Sequence, residues 1–395
     1  MITILCPDMA NNALGRSLVL AQVCERLGER VRIIGSLRAG GEIWKPARIF
    51  QKRFHMECFA LHDTKGYVRA AQALRTLCKH KPGPLIISKP LPTSFGLALL
   101  SGVAQGAILD IDDWELGFRK KGDMDAFMHS QDRVRMILSS LPNNRMNTDL
   151  GVWCCEQLAM RFPRKLASNR WLQERFGGEY LPHVRDAQEL CYRGSEQGAK
   201  VREELGMSND ILWFGFIGTP RAHKGLDVFL GAIELLNRQD VGFILLGCPD
   251  EDPIGQSVLE RARASLGVER VRSKGRFDFD RLAEHVAAVD VVVIPSKLNS
   301  ESIGQIPAKL FDAMAMSRPI IATRVNDMPS ILEDGAGVLV RPDNKEDLCR
   351  GIERVLDMTS AQRVEMGRQA RERFERHYSL DVGAERMRTA LKIWA

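Results

Sequence analysis

Residues 211–247 read ILWFGFIGTPRAHKGLDVFLGAIELLNRQDVGFILLG. The opening run, ILWFGFIG, is unbroken and apolar but shorter than a helix usually is, so it reads as a strand buried on both faces. Gly218 closes it and a tight polar loop follows. GLDVFLGAIELLNRQ then shows apolar residues at helical spacing before a second buried run, VGFILLG. Strand, helix and strand in that order form a βαβ unit, whose strands lie parallel in a sheet covered by helices.

The same grammar runs outward in both directions. Downstream come the helical segments PIGQSVLERARASLG and DRLAEHVAAV, the strand DVVVIPS, the helix AKLFDAMAM and the strand RPIIAT. Upstream, ITILCP, RVRIIGS, PLIISKP and AILDID read as strands, alternating with the helical SLVLAQVCERLGE, YVRAAQALRTLCKH and SFGLALLSGVAQ. Residues 184–208 break the pattern and read as a hinge. A chain of 395 residues exceeds what one core usually supports. The expected fold is α/β, with two Rossmann-like doubly wound domains facing across a cleft. They are expected at 1–190 and 191–378, with 379–395 as a terminal helix, capped by Ser379, packing back on the first. Ligands of open parallel sheets bind beyond the carboxyl ends of the strands, so the chemistry is sought there.

Composition narrows the class. Hydrophobic residues at 45% and charged residues at 27% match folded globular proteins and exclude disordered or fibrous chains. The apolar runs are too short to span a bilayer. Met1 leads straight into the strand ITIL, so no secretory leader is expected and a cytoplasmic location is. Nine cysteines lack any CxxC spacing and eight histidines lack HxxxH or HxH, so reduced thiols, no metal site and no cofactor are expected. The net charge of +6 is uneven: residues 1–185 hold 27 Lys or Arg against 17 Asp or Glu, whereas 186–395 hold 29 against 33. Such a basic front half can steer anionic ligands or dock on an anionic lipid surface; an ordinary solvated face is the alternative. Peripheral contact with the inner face of a membrane is therefore a further expectation, and no nucleic-acid partner is expected.

Four stretches carry candidate chemistry. In the loop after ILWFGFIG, Gly218, Thr219, Arg221 and Lys224 stand before a helix start, an arrangement that suits a phosphate or pyrophosphate. A solvated loop with incidental cations is the alternative. In NSESIGQIPAKLFDAMAMSRPIIAT, residues 299–323, Asp312 lies early in a helix that begins near Pro307. Its carboxylate suits that end of the helix dipole and can accept from the vicinal hydroxyls of a ribose. Lys309, on the same turn, pairs with Asp312 or meets a phosphate, and Gly304 permits close approach of a ligand or serves an ordinary turn. In LDIDDWE, residues 109–115, Asp112 or Asp113 points into the cleft, caps the next helix, or pairs with Arg119 or Lys120. The DID triplet also fits a metal-binding pattern, discounted because cations elsewhere serve a diphosphate. In NNALGRS, residues 11–17, Gly15 and Arg16 occupy the first strand-to-helix loop.

Together FIGTPRAHKGLDVFLGAIELL, FILLGCP, VAAVDVVVIPSKLNSES, PAKLFDAMAMSRPIIATRVNDMPSILEDGAGVLVRPDNKEDL and RFERHYSLD resemble, in order, the retaining glycosyltransferases of the GT-B fold, group 1, family 4 type. The first 185 residues share only the general grammar. The resemblance implies a nucleotide diphosphate sugar as donor and a glycan, lipid-linked or small-molecule hydroxyl as acceptor. It implies that Lys224 binds the donor diphosphate and that Asp312 stands for the second Glu of an E-x7-E motif that holds the ribose. Thr219 stands where the family has an Arg, with Arg221 as its substitute. The first acid of the motif falls on Gly304, so that role passes to Glu301, three residues earlier, or to no residue. Lys224, Asp112, Asp113 and Glu301 are the catalytic candidates. Gly15 and Arg16 are expected to face the donor phosphates, and Arg276 and Phe277 to lie by the base. An epimerase or hydrolase of nucleotide sugars with the same fold, or a silent binding protein, are the alternative functions.

Overall fold

The computed structural model describes residues 1–37, 41–61, 66–119, 147–236 and 238–393. The chain forms two compact units: unit 1 is Met1–Val184, Asn299–Gln305 and Leu380–Ala395, and unit 2 is Arg185–Leu298 and Ile306–Ser379. Residues 299–305, expected in the second domain, thus pack in the first. Four contacts hold them there. A Cβ on Gly304 would stand 2.3 Å from the Trp114 Cβ, the Asn169 side chain donates to the Gly304 carbonyl at 3.1 Å, Ser300 donates to the Gly117 carbonyl at 3.1 Å, and Gln305 donates to Asp113 at 3.0 Å.

Unit 1 holds seven parallel strands in the order β3-β2-β1-β4-β5-β6-β7. They are β1 Ile2–Cys6, β2 Val31–Leu37, β3 His55–Ala60, β4 Leu85–Ser88, β5 Ile108–Ile111, β6 Lys165–Ala167 and β7 Glu179–Tyr180. The chain winds outward from β1 to β3 and returns to lay β4 against β1, pairing Thr3 with Leu85 and Leu5 with Ile87. The switch point is therefore between β1 and β4. The terminal helix Leu380–Ile393 packs on the helix Ala13–Arg26, with Arg26 3.4 Å from Asp381.

Unit 2 holds six parallel strands in the order β10-β9-β8-β11-β12-β13: β8 Leu212–Ile217, β9 Val241–Leu246, β10 Val271–Lys274, β11 Val291–Ile294, β12 Ile320–Thr323 and β13 Val338–Val340. Its switch point falls between β8 and β11. Side chains alternate across a strand, so Trp213 and Ile217 enter one core with Ile244 and Leu310, while Phe214 and Phe216 enter the other with Phe229 and Phe243. Both faces of β8 are covered, which is why its sequence shows no polar alternation. Burying each Phe contributes about 1.5–3 kcal/mol over leaving it in water.

Candidate ligand-binding site

In unit 2 the switch point is shaped by two loops. Gly218 follows β8 with φ +109°, a conformation open to glycine at little cost, and its amide donates to the Leu246 carbonyl at 2.6 Å. The chain then makes a short turn at Ala222–Lys224 and passes through Gly225, φ +70°. A Cβ on Gly225 would stand 1.8 Å from the Pro295 carbonyl oxygen, so the loop after β8 lies directly on the loop after β11. The Lys297 amide donates to the His223 carbonyl at 2.9 Å and locks the two together.

Three sequence-identified groups meet there. Lys224 Nζ donates to the Thr219 carbonyl at 2.8 Å, holding its amine over the loop. Lys309, from the first turn of the helix Ala308–Ala315, places Nζ 3.3 Å from the centroid of the Phe216 ring. That amine is buried with no hydrogen-bond partner among the described residues, and it stands 3.7 Å from where a Cβ on Gly218 would be. Burial first, then repulsion from Lys224, holds Lys309 well below the ordinary lysine range, against the pull of Asp312. The ring face is worth about 0.5–2 kcal/mol to a cation, less than the several kcal/mol of losing water around a charge. Asp312 is 6% exposed and its Oδ1 accepts from Arg185 Nε at 2.6 Å.

The other unit 2 candidates lie outside this group. Arg221, proposed by sequence as the substitute arginine, turns outward onto Asp252 at 3.1 Å with about half its side chain exposed. Arg276 is exposed. Phe277 stacks flat on His285, centroids 3.9 Å apart, and lies beside Gly247 after β9. His285 is fully buried, with Nδ1 at 2.8 Å from the Arg281 carbonyl, and burial pushes its basicity down.

Unit 1 gathers charge at its own switch point. Arg16, expected to face donor phosphates, is only 2% exposed. Its Nε and Nη2 donate to Asp110 at 3.0 and 2.6 Å, Nη2 also to the Leu181 carbonyl at 2.8 Å, and Nη1 to the Pro182 carbonyl at 3.1 Å. The guanidinium is wholly engaged inside the unit, which corrects that expectation. Gly15 sits beside it in the first helical turn, near Trp44. Asp112 lies 3.0 Å from His183, 3.4 Å from Lys89 and 3.6 Å from Arg16. Burial alone would raise Asp112, but His183, Lys89 and Arg16 outweigh it and hold the carboxylate below its usual range. Asp113 binds Lys89 Nζ closely and accepts from Gln305.

Lys89, absent from the sequence candidates, is the hub. It is 7% exposed, has φ +67°, and binds Asp112, Asp113 and Glu115. Its strained backbone is held by its own amide on the Asp110 carbonyl at 2.8 Å and by Ser94 on its carbonyl at 2.7 Å. The one signal available was a lysine directly after the apolar strand LIIS.

Glu301 is partly exposed on the short helix Ser300–Ile303, capped by Asn299, within unit 1. Trp114 fills the space where a Cβ on Gly304 would go, so packing by itself accounts for a glycine there, the structural alternative to ligand approach. Glu301 and Gly304 therefore belong to a different unit from Lys224, Lys309 and Asp312. Among the described residues no group of three or more His, Cys, Asp or Glu is arranged to hold a metal ion, and no helix is long and apolar enough to cross a membrane.

The family described as Glycosyl transferases group 1 matches residues 208–358. The D-inositol 3-phosphate glycosyltransferase of Xylanimonas cellulosilytica is 34% identical over 142 residues, 35% of this chain and 33% of that protein. The alpha-D-kanosaminyltransferase of Streptomyces kanamyceticus is 27% identical over 163 residues, 40% of each chain. The matches thus span two fifths or less of the length of these relatives. The Anabaena protein HepE, crystallised with UDP and glucose, superposes with a TM-score of 0.74 at 15% identity, covering 100% of both chains. That likeness shows the two-domain Rossmann-like fold.

Proposed function

We propose that this chain, which belongs with the group 1 glycosyltransferases, transfers a sugar from a nucleoside diphosphate sugar to a hydroxyl acceptor with retention at the anomeric carbon. The observation that carries the reading is the amine of Lys309, buried without a hydrogen-bond partner among the described residues, beside Lys224 at the β8–β11 switch point. A pocket of that kind calls for an anion. HepE, of the same fold, was crystallised with UDP, which supports a nucleoside diphosphate as the class of ligand.

In this reading the breaking bond leaves positive charge on the sugar and negative charge on the departing diphosphate. Lys224, Lys309 and the amides at the start of the helix Leu226–Leu235 stabilise the leaving group. Arg185 holds the Asp312 carboxylate in place, and that carboxylate accepts from the ribose hydroxyls. Phe277 lies toward the base. The chemistry needs no carboxylate nucleophile of the kind many retaining hydrolases use. Acceptor binding is assigned to unit 1, with peripheral contact between its basic surface and an anionic membrane as a separate expectation that sedimentation with anionic and neutral liposomes tests.

The deciding experiment is a thermal-shift panel of UDP, GDP, ADP, TDP and CDP, followed by product analysis with the corresponding sugar donors. A ligand at about 100 times its Kd adds roughly 2.7 kcal/mol of stability. One nucleotide is expected to stand out, and its sugar donor to be consumed faster when acceptor is added. No shift with any of the five, and no donor turnover, would remove the proposal.

A further inference from the structure

Lys309 is placed where a permanent charge is poorly accommodated. Phe216 covers its amine from β8, and Gly218 presents only backbone alongside. The charged groups acting on it are Lys224, from the loop after β8, which repels, and Asp312, one turn along its own helix, which attracts. Asp312 is already bonded to Arg185, so its charge is shared. Among the described residues no hydrogen-bond acceptor reaches the Lys309 nitrogen.

We propose that Lys309 rests as a neutral amine in the free protein and takes up a proton as a nucleoside diphosphate binds, so that nucleotide affinity is linked to pH. The inference rests on the donor site proposed above and adds a property that site does not require. The physical cause is reciprocal. Burial and the neighbouring Lys224 disfavour the ammonium, and an incoming phosphate supplies the counter-charge and acceptor the nitrogen lacks. The balance is simple: one proton passes from buffer to Nζ, and no bond other than N–H is made. Between the free and bound proton affinities of Lys309, nucleotide affinity then falls about tenfold for each pH unit of increase.

The test is titration calorimetry of the full chain with UDP, GDP and ADP at about pH 8, in Tris and in HEPES. At that pH the terminal phosphate, with its second ionisation near 6, is already deprotonated and is not the source of the exchange. The binding heat is expected to differ between the two buffers by close to one proton taken up per nucleotide bound, and affinity is expected to fall as pH rises. In Lys309→Met the buffer dependence is expected to vanish and affinity to drop tenfold or more, while the ligand-free variant melts higher than wild type. Equal heats in the two buffers for a nucleotide that binds wild type would overturn the proton linkage and leave the donor site standing. Uptake that persists in Lys309→Met would overturn it as well. If these three nucleotides and also TDP and CDP fail to bind at any pH, the donor site and the linkage fall together. The wild-type measurement decides the question even if the variant does not fold.

Discussion

Lys89 and Lys309 stand at the carboxyl ends of two parallel sheets, each beside the switch point of its own unit, and both are buried. Their surroundings are opposite. Lys89 is gripped by Asp112, Asp113 and Glu115, and although burial disfavours its charge these acids outweigh burial and hold it well above its ordinary value. Lys309 has an aromatic ring, another lysine and one acid, Asp312, that is already bonded to Arg185, and it is held well below. A lysine whose counter-charges are built into the fold is structural, whereas one that lacks them is arranged for a charge that arrives from outside. Burial alone separates nothing here; the neighbours decide.

The largest effect expected from this contrast is at Lys89. Lys89→Met leaves three carboxylates around an apolar side chain, and removing one partner of a buried ion pair costs about 3–5 kcal/mol. Urea unfolding should show the loss as a lower midpoint at pH 7 that partly recovers as the medium is acidified, because protonation then neutralises the orphaned acids. An unchanged midpoint would mean that the carboxylates are hydrated, and the structural reading of unit 1 would fail.

Next in size is Lys224→Ala, read as turnover with the donor that the nucleotide panel identifies. Loss of one group that stabilises a leaving oxyanion lowers kcat by about 10²-fold or more, roughly 2.7 kcal/mol. If turnover stays within about threefold of wild type, the leaving-group role passes elsewhere.

Lys309→Met should move stability the other way. Replacing an unpartnered buried amine by an apolar side chain of similar length is expected to stabilise the ligand-free protein by about 1–3 kcal/mol, in contrast to the same substitution at Lys89. Opposite signs for one chemical change at two buried lysines would be the sharpest form of the comparison. Destabilisation at both sites would break it.

Much of this layout was written in the sequence, and the exceptions have physical causes. The central strands β1, β4, β5, β8, β9, β11 and β12 are legible because both faces are covered, leaving continuous apolar runs such as ILWFGFIG and VVVI. The strands β3, β7, β10 and β13 are sheet edges, short or half-exposed, and HMECFA or VRSK carries no clear pattern. Lys224, Lys309 and Asp312 could be singled out as candidates because loop and helix starts announce themselves. Lys89 was hidden because its partners lie 23 to 26 residues away, in the loop after β5, and its left-handed backbone leaves no mark in residue type. The placement of Glu301 and Gly304 failed for a related reason: the fit of Gly304 against Trp114 is a contact between distant segments that local pattern cannot report.

The smallest expected effect belongs to Arg221, and it tests whether charge in a promising loop is enough. Sequence made Arg221 the natural stand-in for an arginine that Thr219 displaces. In the folded unit its guanidinium is half exposed and turned to Asp252, the N-cap of the helix Pro253–Leu266. Exposed pairs of this kind contribute about 0–1 kcal/mol, and Asp252 keeps its cap through its own bond from the Gly255 amide at 3.0 Å. Arg221→Ala is therefore expected to change the melting temperature by no more than a degree or two and nucleotide affinity by less than about threefold, against the tenfold or larger loss at Lys309. Calorimetry on both variants in one buffer makes the comparison direct. An affinity loss at Arg221 equal to that at Lys309 would show that the loop swings its arginine onto the ligand, and that an absent counter-charge is not what marks a binding lysine in this unit.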